Sequence, residues 1–154
     1  MNYETLAIER RGAVATIWMD RPAVFNAFNE QLIAELAAAC AELDADAGVR
    51  VVVLAGRGKH FSAGADLNWM RRASDSTEAE NLADSRKFAA MLRTLSGMSK
   101  PTIACVQGAA LGGGRWAFVA PCARCSPRIS PVTTQSTSPR SPTPTAACSS
   151  LTSS

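Results

Sequence analysis

Residues 101–114, PTIACVQGAALGGG, contain a short apolar run followed directly by a loop with four glycines. The run at residues 102–106 predicts a strand buried on both faces, because continuous apolar runs of this kind are typical of such strands. Glycines after a strand let a ligand approach the backbone closely and expose N–H donors. The stretch therefore predicts a strand whose carboxyl end carries a ligand-binding turn.

The residues before position 101 alternate between strand and helix patterns. TLAIE and AVATIWMD alternate polar with apolar residues and predict a β-hairpin. Apolar residues at helical spacing follow the N-cap residue Asn29 and end near Gly48. A short helix is expected from Leu67, and a longer amphipathic helix from Thr77. RVVVLAG, between the first two helices, predicts another strand buried on both faces. The alternation indicates an α/β fold with largely parallel strands.

Both glycine-containing loops follow strands that are predicted to be buried. GRGKHFSAGADLNWM follows residues 51–54, and GAALGGG follows residues 102–106. Ligands gather at the carboxyl ends of parallel strands, where the loops leave the sheet. Either loop alone is compatible with an ordinary tight turn, but two such loops after successive strands favour a ligand site.

The composition divides the chain at Gly114. All 13 acidic residues and all 10 glycines lie at or before it, whereas residues 115–154 contain nine Ser, six Thr, six Pro and four Arg. The net charge of +3 therefore belongs to the second part. Such a segment buries too little apolar surface to offset the entropy of ordering. We predict a partial domain at 1–114 and a disordered or irregular Ser/Thr/Pro-rich tail at 115–154.

The origin of this tail has three alternative explanations. A shifted reading frame accounts for the abrupt change in composition. A natural Pro/Ser-rich linker is the second alternative, and a basic nucleic-acid-binding tail is the third. Four arginines without interleaved aromatic residues make a weak electrostatic footprint, so no nucleic-acid partner is expected.

Membrane and metal functions are not expected from this sequence. No apolar run is long enough to span a bilayer, and MNYETLAIERRG lacks the apolar run of a signal peptide, so a cytoplasmic protein is expected. Cys40 and Cys105 lie in apolar periodic segments and are expected to be free core thiols. Cys122 and Cys125 have the spacing of half a zinc or redox site, but no second pair follows and His60 is distant in sequence.

Three groups of residues resemble the crotonase family, also called the enoyl-CoA hydratase/isomerase superfamily. They are residues 20–22 (DRP) with Asn26 and Ala27, residues 61–67 (FSAGADL), and Gln107 and Gly108 leading to residues 111–114 (LGGG). The resemblance runs from residue 4 to residue 114 and covers roughly the first half of a family member. It implies the family's ββα spiral core, truncated in this chain. ADLNWMRR also resembles hydratases of branched-chain acyl-CoA breakdown, such as methylglutaconyl-CoA hydratase.

The resemblance also implies a substrate and a set of site residues. The substrate is an acyl-CoA thioester, with coenzyme A as part of the substrate rather than a separate cofactor. The backbone N–H groups of Ala65 and Gly113 would form the oxyanion hole. Substrate-binding positions are Val24, Ala63, Asp66 and Leu67. Full-length members form homotrimers or hexamers, but this assembly is not expected of the truncated chain.

Two residues near these loops are expected to have little direct catalytic role. Asp66 is expected mainly to tie its own loop together. His60 is expected to be a solvated loop residue or a minor contact to coenzyme A, not a base.

The sequence departs from the family after Gly114. A family hydratase usually places one acidic general acid/base two residues later and another farther along, but here Trp116 stands at the first position and no acidic residue follows. Arg115 and Pro121 also disfavour the helix expected there. General acid–base groups typically contribute about 10² to 10⁴-fold in rate, so we expect little or no hydratase activity from this chain. The alternative is a non-catalytic acyl-CoA-binding or subunit-interaction protein, with strands 51–54 and 102–106 partly uncovered.

Overall fold

An antiparallel hairpin opens the fold. The computed structural model describes residues 3–114. Strand β1 (Leu6–Arg11) pairs with β2 (Val14–Met19) in a register that places Leu6 opposite Met19. A short 3-10 helix (Pro22–Val24) then leads to the first α-helix. The hairpin predicted from the alternating pattern is therefore confirmed.

The three helices begin at the residues that their capping side chains define. In α1 (Glu30–Ala45) the Asn29 side chain accepts from the backbone N–H of Leu32 at 2.9 Å. Asp66 caps α2 (Leu67–Asp75), and Thr77 forms a capping box at α3 (Glu78–Ser96). All three predicted helix starts are confirmed. The first helix ends at Ala45, slightly before the predicted Gly48.

The sheet combines the hairpin with two parallel strands. Its order is β1-β2-β3-β4, with β3 (Val51–Gly56) parallel to β2 and β4 (Thr102–Cys105) parallel to β3. Alternate residues of β2 and β3 meet α1 and α3 in one hydrophobic core. This core includes Ala15, Ile17, Met19, Leu32, Leu36, Leu43, Val52, Leu54, Met91 and Leu95. The predicted α/β fold with largely parallel pairing is confirmed.

The prediction that β3 and β4 are buried on both faces is wrong. Val51 and Val53 are only partly buried, while Ile103 is 55% exposed and Cys105 is exposed. Side chains two apart in a strand share a face, so these residues mark the sheet face opposite the core. Within residues 3–114 the helices that enter the core pack on the other face only. The expectation that these strands are partly uncovered is confirmed.

The cysteine prediction is correct for one residue and wrong for the other. Cys40 and Cys105 are both free thiols. Cys40 is completely buried in α1, and burial raises its pKa to about 12. Cys105 lies on the open face of β4 and is not a core thiol.

Some predictions fall on residues that the structure does not describe. The tail at 115–154, Trp116, and the pair Cys122 and Cys125 lie outside residues 3–114. Within the described residues, no helix is long and apolar enough to cross a membrane.

Glu35 fastens the segment before β1 to helix α1, a role that the sequence did not suggest. Its carboxylate is 8% exposed and accepts from the backbone N–H groups of Glu4 and Thr5, both at 2.9 Å. The Thr5 hydroxyl and the Gln31 amide also donate to it, at 2.6 and 2.7 Å. Burial alone would raise the pKa of this carboxyl, but these hydrogen bonds outweigh burial and lower the pKa.

Glu35→Ala is expected to lower the free energy of unfolding by about 2 kcal/mol at neutral pH, because it leaves inward-facing N–H groups without an acceptor. Urea unfolding followed by circular dichroism measures the loss. Glu78→Ala is the matched control, since Glu78 is an exposed glutamate on α3, away from the segment before β1.

The same loss is expected to depend on pH. The folded-state pKa of Glu35 is lowered, so its contribution is complete above the unfolded-state pKa of about 4.3 and disappears as pH falls through the folded value. An equal Glu35→Ala loss at pH 7 and at pH 3 would contradict this account.

Candidate active site

A buried asparagine joins the turn after β2 to the loop after β3. Asn26 is completely buried, and its Oδ1 accepts from the backbone N–H of Arg21 at 3.0 Å. Its Nδ2 donates to the carbonyls of Arg57 and His60, both at 2.9 Å. Asn26 has a φ of 54°, a left-handed conformation in which Asn is enriched among non-glycine residues. One uncharged side chain therefore fixes the separation of two chain segments.

An ion pair adds a second link between the same turn and α2. Arg21 Nη2 lies 2.9 Å from Asp66 Oδ2, and the guanidinium also donates to the carbonyl of Ala27. Asp66 is buried, and its Oδ1 accepts from the backbone N–H of Asn68 at 2.9 Å. Burial opposes ionisation, but hydrogen bonds from Arg21 and the first N–H groups of α2 lower the pKa of Asp66. The carboxylate ties its own loop together, as expected.

The two glycine loops cross at the carboxyl ends of β3 and β4. The Ser62 N–H donates to the Ala109 carbonyl at 3.2 Å, and the Leu111 N–H donates to the Ser62 carbonyl at 2.9 Å. Gly64 has a φ of 91°, and a Cβ placed there would lie 3.2 Å from the Leu111 carbonyl oxygen and 3.5 Å from Gly112 Cα. The loops approach so closely that glycine is needed at their contact.

Ala65 and Gly113 each stand one residue beyond this Gly64–Gly112 contact. A parallel bridge between Phe28 and Ala65 uses the Gly64 carbonyl and the Asp66 N–H, leaving the Ala65 N–H unused. Gly113 and Gly114 have helical conformation. Among residues 3–114, neither the Ala65 N–H nor the Gly113 N–H has a hydrogen-bond acceptor. The loops therefore present two free backbone donors beside one contact point.

The predicted substrate-binding positions surround these loops. Val24 is 39% exposed and Leu67 is 69% exposed. Ala63 is partly buried, and its N–H donates to the Phe25 carbonyl at 2.9 Å, which places the turn containing Val24 against the loop.

Two exposed apolar side chains near these positions, those of Phe25 and Leu111, were not predicted as site residues from the sequence. Both are large apolar residues in turn or glycine-rich segments, where small or polar residues are usual. This difference from their neighbours is the signal that could have identified them.

His60 is not the solvated loop residue that the sequence suggested. Its side chain is partly buried, and its Nδ1 accepts from the Ala109 N–H at 3.1 Å. Its ring packs edge to face on Phe25, with centroids 5.3 Å apart. The alternative of a solvated loop residue is wrong because the partners of His60 come from segments distant in sequence, which local polarity does not reveal. The alternative of a minor contact to coenzyme A stays a prediction.

An apolar cavity lies apart from the glycine loops. It has a volume of about 240 Å³ and lies between α1 and α3, where Ile33, Ala37, Trp69 and Met91 contribute to its walls. None of the predicted site residues lines it. Within residues 3–114, no group of three or more His, Cys, Asp or Glu side chains could hold a metal ion.

Comparison with known proteins shows which sequences and structures this chain is similar to. The sequence model of the family described as "Enoyl-CoA hydratase/isomerase" matches residues 9–122. A "Probable enoyl-CoA hydratase" of Rhizobium meliloti is 44% identical over 114 residues, which cover 74% of this chain and 42% of the relative. A "Crotonyl-CoA hydratase" of Syntrophomonas wolfei is 34% identical over 119 residues, 74% of this chain and 43% of the relative.

A solved structure supports the same assignment. The putative enoyl-CoA hydratase/isomerase (crotonase) from Legionella pneumophila is 44% identical, with a TM-score of 0.73, over 75% of this chain and 45% of that one. The sheet and its paired loops define an α/β protein of the crotonase fold. The chain belongs to the enoyl-CoA hydratase/isomerase family and spans less than half the length of the relatives it matches. The finer resemblance to methylglutaconyl-CoA hydratase is not confirmed by these matches.

Asn26→Ala is expected to lower the free energy of unfolding by about 3 kcal/mol, because it removes three hydrogen bonds from a buried site and leaves their partners unpaired. Urea unfolding of the variant measures the loss. Asn68→Ala, at an exposed position of α2, is the matched control and should change stability by less than about 0.5 kcal/mol. Equal stabilities for the two variants would rule out the proposed role of the buried amide.

Proposed function

We propose that this chain binds acyl-CoA thioesters and that the backbone N–H groups of Ala65 and Gly113 polarise the thioester oxygen. The observation that carries the proposal is the pair of N–H groups beside the Gly64–Gly112 contact that have no acceptor among residues 3–114. The family membership supports the choice of substrate class.

The chemistry of the substrate explains why backbone donors suit this position. Hydration of an enoyl-CoA adds hydroxide to the β-carbon and a proton to the α-carbon, and an enolate-like species lies between the two events. Negative charge then develops on the thioester oxygen. Two fixed donors aimed at that oxygen stabilise it by roughly 3 kcal/mol each.

The surrounding residues support a place for coenzyme A. Val24 and Leu67 offer exposed apolar surface. Leu67 follows the loop at residues 61–66 in the chain, and Ala63 connects that loop to the turn containing Val24. We propose that the bent coenzyme A lies along these positions, with its adenine near residues 63–67. Asp66 contributes by holding the loop through Arg21 rather than by touching the reacting atoms.

The catalytic step needs groups that the binding step does not. Hydration transfers protons to and from carbon and water, yet the chain has no acidic residue after Gly114, where family hydratases carry their general acid and base. We therefore propose binding and polarisation of the thioester with little or no turnover by the 154-residue chain. The second candidate function, non-catalytic binding of acyl-CoA, would therefore use the same residues.

Crotonyl-CoA is expected to bind the full chain and to shift the amide resonances of Ala65 and Gly113, whereas free coenzyme A, which lacks the acyl carbonyl, should leave the Gly113 resonance unchanged. Gly113→Ala should weaken crotonyl-CoA binding by about tenfold or more, because its Cβ would lie 2.6 Å from Phe88 Cζ and displace the donor. Gly48→Ala, far from the loops in sequence, is the matched control. Unchanged crotonyl-CoA affinity in Gly113→Ala would refute the role of this donor.

Trp116→Glu is expected to leave hydration of crotonyl-CoA at the level of the parent chain. One added carboxyl supplies only one of the two acidic groups that family hydratases usually carry. The loss of enoyl absorbance with time measures the rate, and a full-length family hydratase verifies the assay. Hydration clearly above that of the parent chain would show that a single carboxyl is sufficient.

A further inference from the structure

His60 connects three segments that form the proposed site. Its carbonyl accepts from Asn26 Nδ2, and its ring packs on Phe25 in the turn after β2. Its Nδ1 accepts from the backbone N–H of Ala109 in the loop after β4. His60 is also the only histidine among the 154 residues of the chain.

The contact with Ala109 determines where the second loop begins. The Ala109 N–H donates to His60 and the Ala109 carbonyl accepts from the Ser62 N–H, so both backbone polar groups of this residue face the first loop. Gly108 has a φ of 59°, and a Cβ there would lie 2.7 Å from His60 Nδ1 and collide with the Lys59 carbonyl. The backbone thus packs directly on the imidazole, four residues before Gly113.

The direction of this hydrogen bond fixes the protonation state of the ring. An imidazole nitrogen that accepts a hydrogen bond carries no proton, so the neutral ring has its hydrogen on Nε2. An imidazolium donates from both nitrogens and would set one N–H against the Ala109 N–H. Protonation of His60 therefore removes the contact and replaces it with a repulsion between two donors.

Among the residues that the structure describes, the segments packed on the ring contribute three charged side chains. Arg57 and Lys59 share its loop, and Arg57 is paired with Glu9 and Asp20. The turn containing Phe25 contributes Arg21, which is paired with Asp66. Residues 107–114 contain no titratable side chain.

We propose that His60 is a positioning residue whose neutral imidazole fixes the loop at residues 107–114, so that acyl-CoA binding depends on the protonation of this side chain. The inference rests on the proposed function, because its consequence for binding passes through the Gly113 donor. Protonation of the ring is the change that would remove the acceptor of this hydrogen bond. Since the neutral form makes the contact, binding is strong at high pH and weakens as pH falls.

Two variants distinguish the role of His60 as a hydrogen-bond acceptor from the effect of its protonation. Asn has a side-chain oxygen near the position of Nδ1 but cannot be protonated in this range, whereas Leu has no acceptor. Crotonyl-CoA affinity, measured by calorimetry from pH 5.5 to 8, should fall by about tenfold in the wild type toward pH 5.5. His60→Asn, which keeps an acceptor but loses the ring contact with Phe25, should bind more tightly than His60→Leu at pH 8 and show no such fall. His60→Leu should bind about tenfold more weakly at both ends of the range.

Comparing the wild type with the variants at each pH also corrects for ionisation of crotonyl-CoA itself, because the ligand ionises in the same way whichever variant is present. A fall in affinity toward pH 5.5 that is equal in the wild type and in His60→Asn would overturn the proposal. So would affinity in His60→Leu equal to that of the wild type at pH 8.

A spectroscopic measurement without ligand separates this inference from the proposed function. In the ligand-free wild-type chain, the Ala109 amide resonance should titrate with the same midpoint as the single imidazole, and His60→Asn should abolish that titration. If crotonyl-CoA binds at no pH, the proposed function fails, and this amide titration alone decides the role of His60. An Ala109 amide that does not follow the imidazole would overturn the inference even if binding is observed.

Discussion

The site depends on one buried amide, the side chain of Asn26. It lies where the turn after β2, the end of β3 and the loop after β3 meet, and it uses Oδ1 and both hydrogens of Nδ2. An unpaired polar group at such a depth is strongly unfavourable, so the arrangement is stable only when all of these contacts form together. An uncharged amide satisfies backbone groups of both kinds without the desolvation penalty of a buried ion. The positions of His60 and Ser62 follow, because both contact the Asn26 residue directly.

The candidate site is built mainly from backbone. Its two proposed donors, at Ala65 and Gly113, are peptide N–H groups, and side chains such as Asp66 and His60 hold the peptides in place. This division explains the glycines at the crossing, since a side chain at Gly64 would separate the loops. The same division separates substrate binding and polarisation from proton transfer. Binding and polarisation need a fixed backbone, whereas proton transfer needs titratable groups that the sequence does not supply after Gly114.

One face of the sheet is exposed although the composition of its strands is apolar. Strand β4 carries the apolar composition of a doubly covered strand, yet Ile103 and Cys105 are exposed within the part of the chain that the structure describes. Relatives of this chain are more than twice as long as the matched region. Exposed apolar surface of this kind favours association with other protein surfaces. Measurements on this chain therefore need to monitor its association state.

The sequence by itself determined the local structure of this protein and the location of its loops. The caps at Asn29 and Thr77, the hairpin and the two glycine loops depend on neighbours within a few residues, and a sequence displays such neighbours directly. Tertiary structure alone decided the roles of Asn26, Glu35 and His60, because their partners lie about 30 or more residues away. It also decided which strands are covered. Apolar composition records a preference for burial, but exposure depends on what packs against the strand, and that is a property of the whole fold.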